Sequence, residues 1–214
     1  KVQNCATFEL GQKIEIPYMK DVDEAYFAIM PVKEYLKIIL DEAGRIRSGI
    51  FELNVRDFAG IEDNRVNQDI VTTIKSSDKS YFGLLNNGIT IVGKTLSKMQ
   101  GKYTIKNFYV VNGCQTTNVL SENLSDISED MWISVKFVIT QNDEIIKSIV
   151  KATNNQTEVE EIQLLSMNEY QQELESFFAT YTSYTKLYYE RREGQFRGVP
   201  EALPVKIINP ELQM

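Results

Sequence analysis

The sequence predicts an α/β (α+β) fold, with a mixed central sheet, flanking helices and a helical C-terminal segment. Two patterns predict this class. Short apolar runs that are typical of buried strands occur at residues 25–30, 89–92, 108–111 and 132–139. Apolar residues that recur every three or four positions, as on the buried side of a helix, occur at residues 32–40, 64–75 and 145–150.

The N-terminal part of this pattern predicts two strands and a helix. Residues 13–16 alternate between polar and apolar types like a short strand, and residues 25–30 form a longer buried strand. Pro31 suits the first position of a helix, and the apolar stripe that follows continues to Gly44.

Residues 51–58 follow, and in an extended chain they would have Asn54 and Arg56 on one face. A second helix is expected from Asn64 to about Lys75. Asn67 lies in its first turn.

The middle of the chain predicts a hairpin and a sharp strand-to-helix corner. Residues 82–85 and 89–92 are expected as strand pieces around residues 86–88 (NNG), a sequence that favours a tight hairpin turn. Residues 107–120 are expected as a strand, a turn and the start of a helix. Gly113 permits a positive φ at this turn, and Thr116 and Thr117 suit a helix N-cap.

The C-terminal part predicts helices and one basic, aromatic strand. Asn142 is a candidate N-cap for a helix through residues 145–150, and a longer helix is expected at about 159–181. We expect residues 1–214 to form one module and to be a piece of a longer protein. Within it, residues 25–140 would hold the sheet, 141–198 the helices and the basic strand, and 199–214 an extended tail.

Composition excludes several kinds of chemistry. The 214 residues contain no histidine, which removes catalytic triads and every zinc site that needs imidazole. The two cysteines are too few for a disulfide framework and fit a reducing cytoplasm, which we expect as the location. No apolar run approaches the roughly 20 residues of a membrane span, so no membrane partner is expected. Because the net charge is −7, contact with nucleic acid would need a local basic patch.

Four corners rich in amide side chains follow or precede apolar runs. A pocket that gathers these amides, with arginines beside it, would suit a nucleotide or a phosphate-bearing polymer. Arg191 and Arg192 lie in the basic, aromatic stretch and could bind phosphates. The candidate ligand-binding residues are Asn54, Arg56, Asn67, Asn87, Asn112, Gly113, Gln115, Thr116, Asn155, Gln156, Arg191 and Arg192.

Signatures of catalysis are weak. Lys136 has Ser134 two positions before it, where a metal-dependent nuclease would carry an acid, and no phosphate-binding lysine loop is present. Cys114 has no base beside it in the sequence. A magnesium-dependent nuclease or nucleotide hydrolase would therefore have to use Asp57, Asp63 or Glu190. No catalytic residue, metal ligand or cofactor is assigned, and Mg²⁺ enters only under this alternative.

An ordered set of motifs occurs at residues 51–58, 66–67, 86–90, 111–117, 154–156 and 189–195. With these motifs the chain resembles the AIPR family of abortive-infection phage-resistance proteins. Cys114 stands where the family usually has a second glycine. The corner at residues 112–117 is also similar to corners of ParB-like and type IV restriction NTPase-like domains, where it helps to bind nucleotide or DNA.

The AIPR resemblance implies a bacterial or archaeal intracellular defence protein, often encoded near restriction–modification genes. Relatives often carry an upstream region similar to restriction endonucleases, so an upstream nuclease-like domain is an expected partner. Three hypotheses follow: a nucleotide- or nucleic-acid-binding sensing domain, a magnesium-dependent catalytic domain, and a structural scaffold beside the nuclease-like domain.

Overall fold

The computed structural model describes residues 4–54, 60, 64–154, 169–180, 186–190, 202 and 206–208. The chain divides into two compact units: Lys1–Asn54 with Phe58–Thr153, and Val55–Asp57 with Asn154–Met214. The mixed sheet lies in the first unit, and the fold belongs to the α/β class that the sequence predicts.

Six strands form the sheet of the first unit: β1 (Cys5–Phe8), β2 (Gln12–Glu15), β3 (Glu24–Pro31), β4 (Ile89–Met99), β5 (Lys102–Asn112) and β6 (Trp132–Ile139). Their order across the sheet is β1-β5-β4-β6-β3-β2. Neighbours are antiparallel except β4 and β6, which are parallel. Strands β1 and β2 therefore lie at the two edges of the sheet.

The described helices of this unit are α1 (Val32–Ile39), α2 (Arg65–Lys75), α3 (Phe82–Leu85), α4 (Cys114–Glu122) and α5 (Asp143–Asn154). Short 3₁₀ turns occupy Ser77–Tyr81 and Leu124–Asp126. Asn64 caps α2 by accepting from the backbone N–H groups of Val66 and Asn67, which confirms the predicted start of that helix. Asn142 likewise accepts from the N–H groups of Glu144 and Ile145.

One face of the sheet, here called the inner face, packs against helices in the main hydrophobic core. It carries Ala28, Met30, Ile91, Val110 and Phe137, all of which are buried. Their helical partners in this core are apolar residues of α1, α2 and α4. Burial of this continuous apolar surface supplies the main stabilisation of the fold.

The opposite face, here called the outer face, is covered only in part by described residues. It carries Phe27, Thr90 and Lys136, which lie side by side on β3, β4 and β6. Helix α5 is fixed to β4 and β5 at both of its ends: Lys94 Nζ lies 2.7 Å from Asp143 Oδ1, and Asn112 Nδ2 donates to the Thr153 carbonyl at 2.8 Å. The described outer surface of β2, β3 and the start of β6 remains exposed.

Two local predictions were wrong in the middle of the chain. Residues 82–85 form helix α3 and not a strand, and residues 86–88 connect α3 to β4 and do not close a hairpin. The Asn86 amide bonds to the Phe82 carbonyl at 3.0 Å, which satisfies the last turn of the helix. A four-residue apolar run is too short for its period to distinguish a helix from a strand.

Three further predictions are corrected by the backbone. Helix α1 ends at Ile39, well before Gly44, because Leu40 is extended with φ −91° and ψ 142°. Residues 51–53 are turns and not extended chain. The N-cap of α4 is Gly113, whereas Thr116 and Thr117 lie inside the first turn of the helix.

The second unit contains helix α6 (Glu169–Thr180) and the parallel strands β7 (Tyr188–Tyr189) and β8 (Ile207–Ile208). The ring of Phe178 stacks on that of Tyr189 with centroids 5.6 Å apart. Tyr189 is 1% exposed, so its ring belongs to the packed interior. Helix α6 lies within the helix predicted at about residues 159–181, of which residues 159–168 and 181 lie outside the described ranges.

Candidate functional site

The corner between β5 and α4 depends on Gly113. Its φ is +101°, which strains any residue with a side chain, and an added Cβ would collide with the side chain of Ile89. The N–H of Thr117 donates to the Gly113 carbonyl at 2.9 Å, and the Thr117 hydroxyl donates to the same oxygen at 2.7 Å. Glycine has no side chain to cap the helix, so α4 begins with no side-chain cap of its own.

A second helix begins beside this corner. Asn67 lies in the first turn of α2 and is completely buried. Its Nδ2 donates to Oε1 of Gln115 at 2.9 Å and to the carbonyl of Gly60 at 2.5 Å. Gln115 lies in the first turn of α4, so one buried amide joins the N-terminal turns of two helices.

The side-chain amide oxygen of Asn67, Oδ1, has no hydrogen-bond partner among the described residues. Oδ1 is the one buried side-chain nitrogen or oxygen of the described residues for which no hydrogen bond is found. An unpaired buried acceptor costs about 1–3 kcal/mol, which native proteins normally avoid. A ligand that donates an N–H or O–H to this oxygen would remove the cost.

The electrostatics of this junction favour an anion. The N-terminus of an α-helix carries a partial positive charge, and neither α2 nor α4 has an acidic residue in its first turn. In α2 the N–H groups of Val66 and Asn67 already donate to Oδ1 of Asn64, so the start of α4, which has no side-chain cap, carries this effect. An anionic oxygen beside a hydrogen-bond donor is the chemistry that this arrangement would accommodate.

Tyr35 supports the corner from the core. Its hydroxyl lies 2.5 Å from Oγ1 of Thr117, and its ring is completely buried. Burial raises the pKa of the Tyr35 phenol well above its ordinary value, so the group stays neutral. This contact holds the first turn of α4 against α1.

Comparison with protein-family models gives a match between residues 51–207 and the AIPR protein model. The match covers well over half of the chain and includes both helix starts of the junction. The chain belongs to the AIPR family. Comparisons with curated proteins and with solved structures give no match.

Family membership associates this AIPR protein with abortive infection and phage resistance. Within its described residues, no helix has the length and apolar character needed to cross a membrane. Nor do three or more cysteine or acidic residues in the described ranges lie close enough together to hold a metal ion.

The structure brings some of the candidate residues together and separates others. Asn67 and Gln115 are in direct contact, and Gly113 and Thr116 lie in the same corner as Gln115. Asn112 directs its Nδ2 to the Thr153 carbonyl at the end of α5, and Asn87 is exposed beside the outer face. Asn54 is buried at the end of the turns that follow Ile50.

The other candidates lie outside the described residues: Arg56, Asn155, Gln156, Arg191 and Arg192. The same holds for Asp57 and Asp63 of the catalytic alternative. Glu190 is described, and its backbone N–H donates to the Ile208 carbonyl at 2.7 Å within the second unit.

Sequence reasoning did not select Gly60, Asn64 or Tyr35 for the site of this AIPR protein. The capping signal of Asn64 was visible in the sequence and marks the start of α2. Nothing local indicates that the Gly60 carbonyl accepts from Asn67, or that Tyr35 reaches Thr117 across 82 positions of the chain.

Proposed function

We propose that this AIPR protein is a binding and sensing module for phage defence, and that a phosphate-bearing nucleotide ligand binds at the junction of α2 and α4. The ligand is a nucleotide or the equivalent part of a nucleic acid. The residues that would contact it are Gln115 and Thr116, which are partly exposed, and Asn67, which is completely buried without ligand, together with the backbone of the α4 corner.

The observation that supports the proposal most strongly is the state of Asn67. Its Nδ2 makes two hydrogen bonds, whereas its Oδ1 is buried without a partner among the described residues. A purely structural amide in this position would be expected to use both of its ends. The side-chain amide that carries this oxygen also bonds, through its Nδ2, to Gln115 in the first turn of α4.

The ligand class follows from two complementary requirements. The start of α4, which has no side-chain cap, favours an anionic oxygen such as that of a phosphate. The Asn67 Oδ1 requires a donor close to that anion. A nucleotide has both, because a sugar hydroxyl or a base N–H lies near its phosphate. The half-buried Thr116 hydroxyl adds a group that can donate or accept.

In this proposal the module recognises its ligand and leaves the cutting of nucleic acid to another part of the full-length protein. An upstream nuclease-like domain is the proposed effector, in keeping with the restriction–modification association of the family resemblance.

Calorimetric titration tests this function on the 214-residue chain. The ligands are inorganic phosphate, adenosine 5′-monophosphate and a short single-stranded oligonucleotide. We expect a nucleotide to bind more tightly than phosphate alone, and Asn67→Ala to weaken nucleotide binding by about tenfold, which corresponds to roughly 1.4 kcal/mol.

Asn123→Ala is the matched control. Asn123 is another buried amide that bonds to a backbone carbonyl, but it lies at the opposite end of α4. The control variant should keep the wild-type affinity, with folding of each variant checked by circular dichroism. Absence of binding at millimolar nucleotide would contradict the proposal. If Gln115→Ala lowers stability and leaves affinity unchanged, the corner is a scaffold.

A further inference from the structure

A trough of about 340 Å³ lies on the outer face of the sheet, apart from the junction of α2 and α4. Its apolar part is made by Ile14, Phe27 and Ile29 from β2 and β3. Its polar part comes from Gln12, Asn87, Thr90, Ser134 and Lys136. This volume is at the lower end of the range of about 300–1,000 Å³ that ligand sites occupy.

The apolar side chains of the trough are unusually exposed for strand residues. Phe27 is 52% exposed, Ile29 53% and Ile14 73%. They form one surface because Ile14 pairs with Phe27 across β2 and β3, and Ile29 lies two residues along β3 on the same face. Trp132 is 40% exposed and extends the same face along β6. Contiguous exposed apolar side chains with polar residues around them are typical of interaction sites and ligand-binding grooves.

The charge of the trough selects an anionic partner. Lys136 lies beside Phe27 across β3 and β6, with Nζ 5.3 Å from the centre of the Phe27 ring. None of the described residues that line the trough is acidic, although the chain as a whole carries a net charge of −7. A flat aromatic ring, a neighbouring cation and several uncharged hydrogen-bonding groups therefore lie together on a surface without carboxylates.

We propose that this trough binds single-stranded nucleic acid, with an unpaired base stacked on Phe27 and the adjoining phosphate on Lys136. Stacking on an exposed aromatic ring beside a basic group is the usual way in which proteins hold single strands. The amides of Gln12 and Asn87 and the hydroxyl of Ser134 can bond to base edges. The half-exposed ring suits a strand that passes over the sheet, because a free nucleotide would normally be enclosed more completely.

This site is independent of the nucleotide site proposed at α2 and α4. None of Asn67, Gln115 and Thr116 lines the trough. Each can therefore fail without the other.

Fluorescence anisotropy with a labelled 12-residue oligodeoxythymidine tests the proposal on the 214-residue chain. Phe27→Leu keeps an apolar side chain and removes the ring, so the fold should persist while binding weakens by roughly tenfold or more. Lys136→Gln should lower the slope of log affinity against log salt by about 0.7, the value for one lost phosphate contact on a single strand.

Matched controls make the result specific. Lys98→Gln removes a lysine that also lies near an aromatic ring, that of Tyr103, but on a part of β4 outside the trough. It should leave affinity unchanged. Unchanged affinity in Phe27→Leu or equal binding of duplex DNA would overturn the proposal. So would a wild-type chain that binds no single strand and instead forms a dimer that Phe27→Leu disrupts.

Discussion

The Asn67 amide donates to Oε1 of Gln115 at 2.9 Å, and this one hydrogen bond joins the first turns of α2 and α4. The two residues are 48 positions apart in the chain. Because the donor is completely buried, the bond is protected from water and fixes how the two helix starts meet. The candidate site is built around this contact.

A double-mutant cycle measures the contact. Asn67→Ala should lower the free energy of unfolding by about 1 kcal/mol, because it removes the two hydrogen bonds of Nδ2, a loss that removal of the unpaired Oδ1 offsets in part. Combined with Gln115→Ala, the loss should be smaller than the sum by about 0.5–1.5 kcal/mol. Urea denaturation of the four proteins gives these values. Strict additivity would show that the two amides do not depend on each other.

The two partners of the hydrogen bond between Tyr35 and Thr117 should contribute unequally to the free energy of unfolding. Thr117 gives its hydroxyl hydrogen to the Gly113 carbonyl, so the Tyr35 hydroxyl is the donor between them. Tyr35→Phe should cost about 1 kcal/mol, because Thr117 keeps its bond to Gly113. Thr117→Val should cost more, about 2–3 kcal/mol, because a buried phenol then lacks an acceptor. Thermal or urea unfolding would contradict this order if Tyr35→Phe proved the costlier change.

Stability should fall in alkaline solution in a way that depends on Tyr35. Burial raises the pKa of Tyr35, and burial also raises the pKa of Tyr109. The unfolded phenols lose protons first, at a pH of about 10, so the stabilisation is complete below that pH and declines as the pH rises beyond it. Tyr35→Phe should make this decline less steep.

Urea unfolding between about pH 8 and pH 11 measures the slope. The control is Tyr18→Phe, since the Tyr18 side chain is 90% exposed and keeps its contact with water on folding. An equal slope in the wild type and in Tyr35→Phe would show that the Tyr35 phenol ionises as readily in the folded chain as in the unfolded one.

Gly88 should tolerate a side chain less well than Gly101. Both have positive φ, +77° and +84°, so an alanine at either position costs about 1–2 kcal/mol in backbone strain. Only at Gly88 would the new Cβ also collide with β6, where it would lie 2.8 Å from the Ser134 carbonyl oxygen. At Gly101 the space is open. Gly88→Ala should therefore be more destabilising than Gly101→Ala by at least about 1 kcal/mol, and equal losses in urea unfolding would contradict this packing.

Much of the fold could be predicted from the sequence, because strands, helix caps and turns depend on residues that are close together in the chain. Strand β6 occupies the predicted residues 132–139, and the caps at Asn64 and Asn142 mark the starts of α2 and α5. The turn at Gly113 was visible for the same reason, since a positive φ has a recognisable residue preference. Helix α3 was missed because four apolar residues do not reveal a period.

The sites were less accessible to sequence reasoning, because they depend on which elements meet. Asn67 and Gln115 were both among the candidates, but their direct bond required the packing of α2 on α4. Asn112 and Asn87, also candidates, lie on or beside the outer face. The trough was not predicted, because the apolar run at residues 25–30 suggests a strand that is buried on both faces. Only the structure shows that Phe27 and Ile29 on the outer face are left exposed.

Nuclear magnetic resonance tests the central claim most directly, by following the backbone amides of the 214-residue chain during titration with adenosine 5′-monophosphate. The account predicts saturable shift changes that are largest at Asn67 and through the first turn of α4, residues 114–117. Asn67→Ala should reduce them, and Asn123→Ala should not. Saturable shifts confined to other parts of the chain, or no shifts at millimolar nucleotide, would contradict a nucleotide site at the junction of α2 and α4.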